Sequence, residues 1–129
     1  MSFIEGVDYE VIQREYNYRL LRVRNCSTGI FLGKTIEHPY FRLDEKGRLT
    51  IQPGYEWNGA TRAIDTKDFM RASLFHDTLY QMLRMQLIPS SCRKPADKLL
   101  YKLLGEDGMS GFRRWYVYHA VRLLGWLFK

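Results

Sequence analysis

Hydrophobic and polar residues follow one period in the first half of this chain and another in the second half. Over residues 9–57 apolar and polar side chains tend to alternate, which is typical of β-strands with one buried face. Over residues 66–128 the apolar residues recur at helical spacing. We find no internal repeat and no flexible linker. The pattern therefore predicts a single α+β domain over residues 1–129, with a small N-terminal antiparallel sheet followed by three helices.

Turn-forming residues divide the first part into strands. Residues 17–24 predict a strand whose inward side chains are Tyr18, Leu20 and Val23. Residues 25–29 predict a turn, and residues 30–36 predict a further strand. Two short strands within residues 41–51 should form a hairpin, because Gly47 between them can adopt a positive φ.

The first two helices of the second part have clear apolar faces. The first helix should begin at residue 65 or 66, end near residue 84 or 86, and bury Phe69, Ala72, Phe75, Leu79 and Leu83. Residues 88–91 break it, and Pro95 suits the first position of the second helix. The second helix should bury Ala96, Leu99, Leu100 and Leu103.

The third helix should span residues 112–127 and is rich in Trp, Tyr, Leu and Arg. Such a helix can lie in a membrane interface. Its aromatic residues occupy several faces, however, and this favours packing against the core or a partner.

A cluster of titratable residues marks the second part. His76 and Asp77 are neighbours in an apolar segment, Tyr80 lies one helical turn after His76, and Asp97 follows one helix later. An imidazole that activates water needs one free nitrogen and a partner that fixes its tautomer. A neighbouring carboxylate can hold a divalent cation. The alternative is that His76 is a hydrogen-bonded core histidine and that Asp77 faces solvent.

The position of Asp97 depends on where the first helix ends. If the helix ends near Arg84, the connecting segment is long enough to return, and Asp97 can reach His76. If the helix continues to Ile88, Asp97 lies near Leu83 instead. A further alternative needs no partner, because a carboxylate in the first turn of a helix is stabilised by the helix dipole.

The loop that joins the two parts contains candidate metal ligands. The backbone carbonyls of Trp57 and Gly59 and the amide oxygen of Asn58 are oxygen ligands of the kind that calcium takes. Together with Asp77, and with a further carboxylate from Asp65, they could form a calcium site. An ordinary connection between strand and helix is the alternative.

Composition narrows the choice of partners. The net charge of +6 favours anionic partners, but the basic residues are scattered, so a solvated basic surface is favoured over a nucleic-acid site. Cys26 and Cys92 carry no C-x-x-C pattern; a disulfide stays open, and reduced thiols are the simpler interpretation. We expect no signal peptide, because residues 1–6 show no basic region followed by a long apolar stretch. We expect no transmembrane segment, because the chain lacks an apolar run of about 20 residues.

The spacing of His76, Asp77, Tyr80 and Asp97 resembles the core motif of phospholipase A(2) enzymes, particularly the compact disulfide-free domain of parvovirus capsids. The resemblance implies that His76 activates a water, that Asp97 orients His76, and that Tyr80 contacts Asp97. It also implies that Asp77 binds calcium. The calcium loop of those enzymes is richer in glycine than residues 57–61 of this chain.

A larger part of the chain resembles a phage- and prophage-encoded family of uncharacterised small proteins. Its pattern appears here as P-G-Y-E-W-N-G-A-T from Pro53, L-F-H-D-T-L-Y from Leu74, R-K-P-A-D from Arg93, and V-R-L-L-G from Val121. That family often has Asp at the position of Asn58. The match identifies a family and leaves its activity open.

These observations favour two functions. The first is a phospholipase A(2)-like hydrolase that acts on phospholipid with calcium, with His76, Asp97 and Tyr80 as catalytic residues. The second is a non-catalytic virion component or host-interaction protein on the same fold, whose partner is a phage or host protein. Either would act in the host cytoplasm or the virion. Nucleic-acid binding rests on charge alone and is disfavoured.

Overall fold

A computed structural model describes residues 2–4, 7–11, 18–57 and 67–124. These residues form two four-stranded antiparallel sheets followed by three helices. The strands are β1 Ser2–Ile4, β2 Val7–Val11, β3 Tyr18–Leu20, β4 Arg24–Ser27, β5 Ile36–Glu37, β6 Phe41–Leu43, β7 Arg48–Ile51 and β8 Glu56–Trp57. The helices are α1 Lys67–Arg84, α2 Arg93–Glu106 and α3 Gly111–Leu124. The predicted α+β class is thus confirmed, while the assignment of residues 1–129 to one domain stays a prediction.

The first sheet has the order β1-β2-β3-β8, and the second has the order β4-β7-β6-β5. In the first sheet Tyr18 pairs with Trp57, and the two rings lie 5.5 Å apart between centroids. This pairing brings the end of the sheet-rich part next to the helices, because Trp57 donates a hydrogen bond from its indole Nε1 to Ser73 Oγ of α1 at 3.1 Å.

Three predictions for the strands were wrong. Asn25, Cys26 and Ser27 belong to β4 and not to a turn, because β7 supplies a partner strand on which Cys26 pairs with Leu49. Residues 30–35 form no strand, and Gly33 within them has a φ of 71° that extended pairing does not allow. Val23 is exposed, because the strand that begins at Tyr18 ends at Leu20.

The predicted hairpin is confirmed as β6 paired with β7. Asp44 Oδ1 accepts hydrogen bonds from the backbone N–H groups of Lys46 and Arg48 at 2.9 and 3.0 Å, which fixes the turn. Gly47 has a φ of 80°, and a Cβ atom there would lie 3.0 Å from the carbonyl oxygen of Ile30. Glycine is therefore required both for the backbone conformation and for the close approach.

The first helix ends at the earlier of the two predicted positions, so the chain can return along it. α1 stops at Arg84, and Gln86 then takes a positive φ of 59°. The N–H groups of Gln86 and Leu87 donate to the carbonyls of Leu83 and Met82 at 3.1 and 2.9 Å. This is a Schellman motif, which satisfies the last carbonyls of the helix and turns the chain sharply. The chain therefore has residues 85–92 in which to return to α1.

The second and third helices begin close to their predicted positions. α2 begins at Arg93 and not at Pro95, but Pro95 still lies in the first turn, where a backbone N–H has no helical partner. α3 begins at Gly111, one residue before its predicted start, and residues 125–127 of the predicted range lie outside the described residues. None of the helices in the described ranges combines the length and apolarity that a bilayer-spanning segment requires.

Side chains from both sheets and all three helices form one hydrophobic cluster, and the buried residues expected on α1 and α2 are all part of it. Outside this cluster Arg71 of α1 binds Asp107 through two nitrogens at 2.9 to 3.1 Å, and it also reaches Glu106 at 2.9 Å. Cys26 and Cys92 are both buried and free. Packing and an ion pair therefore join α1 and α2. Together they fix the positions of the side chains that lie between the two helices.

Candidate active site

Asp97 lies beside His76 in the interior. Because α1 ends at Arg84, α2 runs back along it and brings the second turn of α2 next to His76. His76 Nε2 and Asp97 Oδ1 are 2.7 Å apart, and Asp97 is completely buried. The alternative that Asp97 is a carboxylate of the first helical turn that needs no partner is therefore wrong.

Two further donors hold the same carboxylate. The Tyr80 hydroxyl donates to Asp97 Oδ1 at 2.7 Å, and Arg122 Nη1 donates to Oδ2 at 2.7 Å. Burial alone would raise the pKa of Asp97, but the hydrogen bonds from His76, Tyr80 and Arg122 outweigh it and hold the pKa below its ordinary value. Asp97 is thus an ionised carboxylate at neutral pH, and three hydrogen-bond donors among the described residues bind it.

The ionised carboxylate determines the tautomer of His76. A carboxylate without a proton can only accept hydrogen bonds, so Nε2 of His76 must carry the proton that it donates to Asp97. In the neutral ring, Nδ1 then keeps its lone pair. Nδ1 has no hydrogen-bond partner among the described residues, and the side chain keeps 9% of its surface exposed. The structure therefore shows both a buried, hydrogen-bonded histidine and a ring nitrogen that can accept a proton.

The ring of Tyr80 packs against the ring of His76. Its ring centroid lies 4.2 Å from that of His76, as expected for residues one helical turn apart. Burial raises the pKa of the Tyr80 hydroxyl, and the hydrogen bond to Asp97 raises it further, so this group stays a donor. The hydroxyl and the imidazole share Asp97 Oδ1, which restricts the rotation of both side chains.

The two arginines of this cluster had no role in the sequence interpretation. Arg93 Nε donates to the Tyr80 hydroxyl at 3.3 Å, and its Nη2 donates to the carbonyls of Arg122 and Val121 at 2.6 and 3.2 Å. These carbonyls lie in the last described turn of α3. Arg93 and Arg122 both occur in the family pattern quoted above, and this was the one signal that could have pointed to them.

Asp77 lies on a different side of α1 from His76. It is half-buried, and its charge acts on Tyr55. Burial raises the pKa of the Tyr55 hydroxyl to about 12, and the negative charge of Asp77 adds to this shift. Tyr55 donates to Gln81 Oε1 at 2.7 Å. Asp77 is therefore close enough to Tyr55 for its charge to act on that hydroxyl.

Most of the candidate calcium loop cannot be compared with the prediction. Asn58, Gly59 and Asp65 lie outside the described residues. Trp57 is buried, and its indole binds Ser73, so only its carbonyl is a candidate ligand. No group of three acidic, histidine or cysteine side chains suited to a metal occurs in the described ranges.

The chain belongs to a family described as "Protein of unknown function (DUF1353)", which matches residues 57–121. The matched range includes His76, Tyr80, Arg93 and Asp97 and ends one residue before Arg122. The resemblance to an uncharacterised family is thus confirmed at this level. Comparisons with curated proteins and with solved structures gave no match.

Proposed function

We propose that this protein is a phospholipase A(2)-like hydrolase in which His76 acts as a general base. The observation that carries the proposal is the hydrogen bond of 2.7 Å between Nε2 of His76 and the fully buried Asp97. Because Nε2 donates its proton to Asp97, the free lone pair of the neutral ring lies on Nδ1. A histidine oriented in this way is suited to accept a proton from water.

The proposed reaction uses the two ring nitrogens in different ways. Nδ1 of His76 accepts a proton from a water molecule as the water oxygen attacks the carbonyl carbon of an ester. When the tetrahedral intermediate collapses, the bond to the alcohol oxygen breaks, and Nδ1 returns the proton to that oxygen. The products from a phospholipid are a fatty acid and a lysophospholipid. Meanwhile Nε2 stays bonded to Asp97, which stabilises the transient imidazolium.

Asp97 and Tyr80 would act as positioning residues. The Tyr80 hydroxyl, which itself accepts a hydrogen bond from Arg93, fixes the carboxylate from α1, and Arg122 fixes it from α3. Because Arg122 already neutralises part of the charge of Asp97, the carboxylate stabilises an imidazolium less than an unshared one would. Asp97 therefore holds the His76 ring in one orientation but stabilises its protonated form only in part.

The resemblance described above supplies the remaining elements of the proposal. It suggests phospholipid as the substrate and calcium as the cofactor, which would be bound by Asp77 with Trp57, Asn58 and Gly59. It also suggests a phage or prophage origin and action in the host cytoplasm or the virion. The half-buried position of Asp77 beside Tyr55 supports a role for its charge.

A non-catalytic role on the same fold is the second candidate, and a specific observation favours it. Asp97 and Arg93 join all three helices: His76 and Tyr80 come from α1, Asp97 and Arg93 from α2, and Arg122 from α3. A network of this kind stabilises the arrangement of helices whether or not a substrate is bound. The protein would then be a virion component or a host-interaction protein, with a phage or host protein as its partner.

Release of fatty acid from phospholipid vesicles of several headgroups separates the two candidates. We expect wild type to hydrolyse at least one headgroup class in calcium and His76→Gln to lose nearly all activity, because glutamine can still donate to Asp97 but cannot act as the base. His38→Gln is a matched control, since His38 lies in the loop between β5 and β6 and its Nδ1 accepts a hydrogen bond from the backbone N–H of Tyr40. Wild type that hydrolyses none of the phospholipids would leave the structural role as the better explanation.

A further inference from the structure

α3 carries a row of large apolar side chains that face away from the protein. Phe112 is 75% exposed, Trp115 55% and Leu123 70%, and Tyr116 and His119 are also exposed. At 100° per residue all five fall within an arc of about 100°. We call these five residues the α3 stripe. Val117 and Val121, which pack towards the core, lie on the opposite side of the helix.

The α3 stripe is an ordered surface and not a set of isolated side chains. The rings of Phe112 and Tyr116 lie 5.8 Å apart, and those of Trp115 and His119 lie 4.6 Å apart. Contiguous apolar patches of this kind are rare on soluble monomers and mark interaction sites. The expectation that the aromatic residues of this helix are packed therefore holds for one side of α3, while the other side is available to a partner.

The charges around the α3 stripe indicate an anionic partner. α3 contains no acidic residue, and two of its three arginines, Arg114 and Arg122, already contact Tyr101 and Asp97 within the protein. On α2 the exposed Lys94, Lys98 and Lys102 recur every fourth residue and so share one face. Tyr101, beside this row, contacts Tyr118 of α3 at 5.6 Å between ring centroids, so the lysine row lies on the side of α2 that adjoins α3.

The two helices are held together closely at this edge. The Arg114 guanidinium lies 4.4 Å above the ring of Tyr101 and against Gly105, where a Cβ atom would overlap it. Arg114 is thus fixed between α2 and α3. The lysine row and the α3 stripe therefore belong to one rigid surface, with cationic side chains on one side and aromatic and aliphatic ones on the other.

We propose that this surface docks on an anionic phospholipid bilayer. Trp, Tyr and Phe favour the boundary between headgroups and acyl chains, and lysines beside them attract anionic headgroups. A second copy of the chain fits less well, because two basic surfaces would repel each other. Nucleic acid explains the cations and some of the aromatic rings, but it gives Phe112 and Leu123, at the two ends of the stripe, no apolar environment.

The proposal deepens the proposed function, since it names the surface that would bring the catalytic site to its lipid. α3 carries both the stripe and Arg122, which binds Asp97, so a docked helix would also hold the site together. The two proposals can nevertheless fail separately. Docking is measured on vesicles of diether lipids, which lack the carboxylic ester that the proposed reaction cleaves.

The experiment is cosedimentation with diether phosphatidylglycerol–phosphatidylcholine vesicles and with pure diether phosphatidylcholine vesicles. We expect wild type to bind the anionic vesicles at least about tenfold more strongly, with a loss of binding at high salt. The double variant Phe112→Ser, Trp115→Ser should bind them about tenfold or more weakly. Phe31→Ser is the matched control, because Phe31 is 69% exposed on the sheet-rich part, and it should bind like wild type.

A second pair of variants tests the charges. Lys98→Glu with Lys102→Glu should lower binding to anionic vesicles by about tenfold, while Lys34→Glu with Lys46→Glu, on exposed lysines of the sheet-rich part, should lower it much less. Melting curves establish that each variant is folded. If the double variant Phe112→Ser, Trp115→Ser is not folded, Leu123→Ser is used in its place.

Wild type that binds neither vesicle, or binding that the stripe variants leave unchanged, overturns the proposal. So does a dimer, or a complex with a DNA or RNA oligonucleotide, that the stripe variants abolish while lipid is not bound.

Discussion

Asp97→Asn should destabilise the protein strongly, although it changes neither the size nor the shape of the side chain. The carboxylate accepts three hydrogen bonds of 2.7 Å, two at Oδ1 and one at Oδ2. An asparagine amide has one oxygen and one NH2 group. In one orientation the NH2 group faces His76 and Tyr80, and in the other it faces Arg122. In the first orientation the His76 ring has to move its proton to Nδ1 before Nε2 can accept from the NH2 group. In either orientation the positive charge of Arg122 loses its buried counter-ion.

The expected loss follows from the burial of the groups that remain. Removing one partner of a buried ion pair costs roughly 3–5 kcal/mol. Arg122 keeps 29% of its side chain exposed, so water can solvate part of the charge that the substitution leaves unpaired. We therefore expect a loss near the lower end, about 3 kcal/mol of the free energy of unfolding. That is a large part of the roughly 5–15 kcal/mol that stabilises a domain.

Equilibrium unfolding in urea at pH 7 measures this loss, with the slope against urea unchanged between the two proteins. Arg122→Met and the double variant complete a double-mutant cycle. The cycle should give a coupling of roughly 1–3 kcal/mol between Asp97 and Arg122. A loss below about 1 kcal/mol for Asp97→Asn would refute the reasoning, because it would mean that the carboxylate is neither ionised nor enclosed by donors.

Three further predictions concern the same residues. Because the folded pKa of Asp97 lies below its ordinary value of 3.8, the stability that its ionised form contributes is complete above that value and is lost as the pH falls through the folded pKa. The stability difference between wild type and Asp97→Asn should therefore shrink below pH 3.8, and a constant difference down to pH 2 would contradict this. Tyr80→Phe should cost about 2 kcal/mol in urea unfolding, the value of a hydrogen bond to a charged group, and a loss near zero would show that the hydroxyl does not bind Asp97. Calcium should raise the melting temperature of wild type but not of Asp77→Asn, and equal behaviour of both proteins in calcium and in chelator would exclude Asp77 as a ligand.

The helices could be predicted from the sequence because their apolar period is long and regular. Phe69, Phe75 and Leu79 mark the buried face of α1. The end of that helix at Arg84 determined the position of Asp97, and the sequence left this end open between two possibilities. The Schellman motif that settles it uses Gln86 at positive φ, a residue type that rarely indicates such a turn.

The strands and the arginines depended on contacts between distant parts of the chain. Residues 25–27 have the composition of a turn, yet they form a strand because β7 pairs with them and Cys26 is buried against the core. Strand propensity depends on such neighbours more than on the residues themselves. Arg122 likewise reaches Asp97 across 25 positions of sequence, and no local spacing predicts that contact.

Long-range ¹H–¹⁵N correlation spectroscopy of the His76 ring tests most directly whether Asp97 holds this histidine as a proton acceptor. At pH 8 we expect a proton on Nε2 and none on Nδ1, because the ionised Asp97 can only accept a hydrogen bond. In Asp97→Asn this preference should weaken. A wild-type ring that carries its proton on Nδ1, or on both nitrogens, would contradict the proposed role of His76 as a general base.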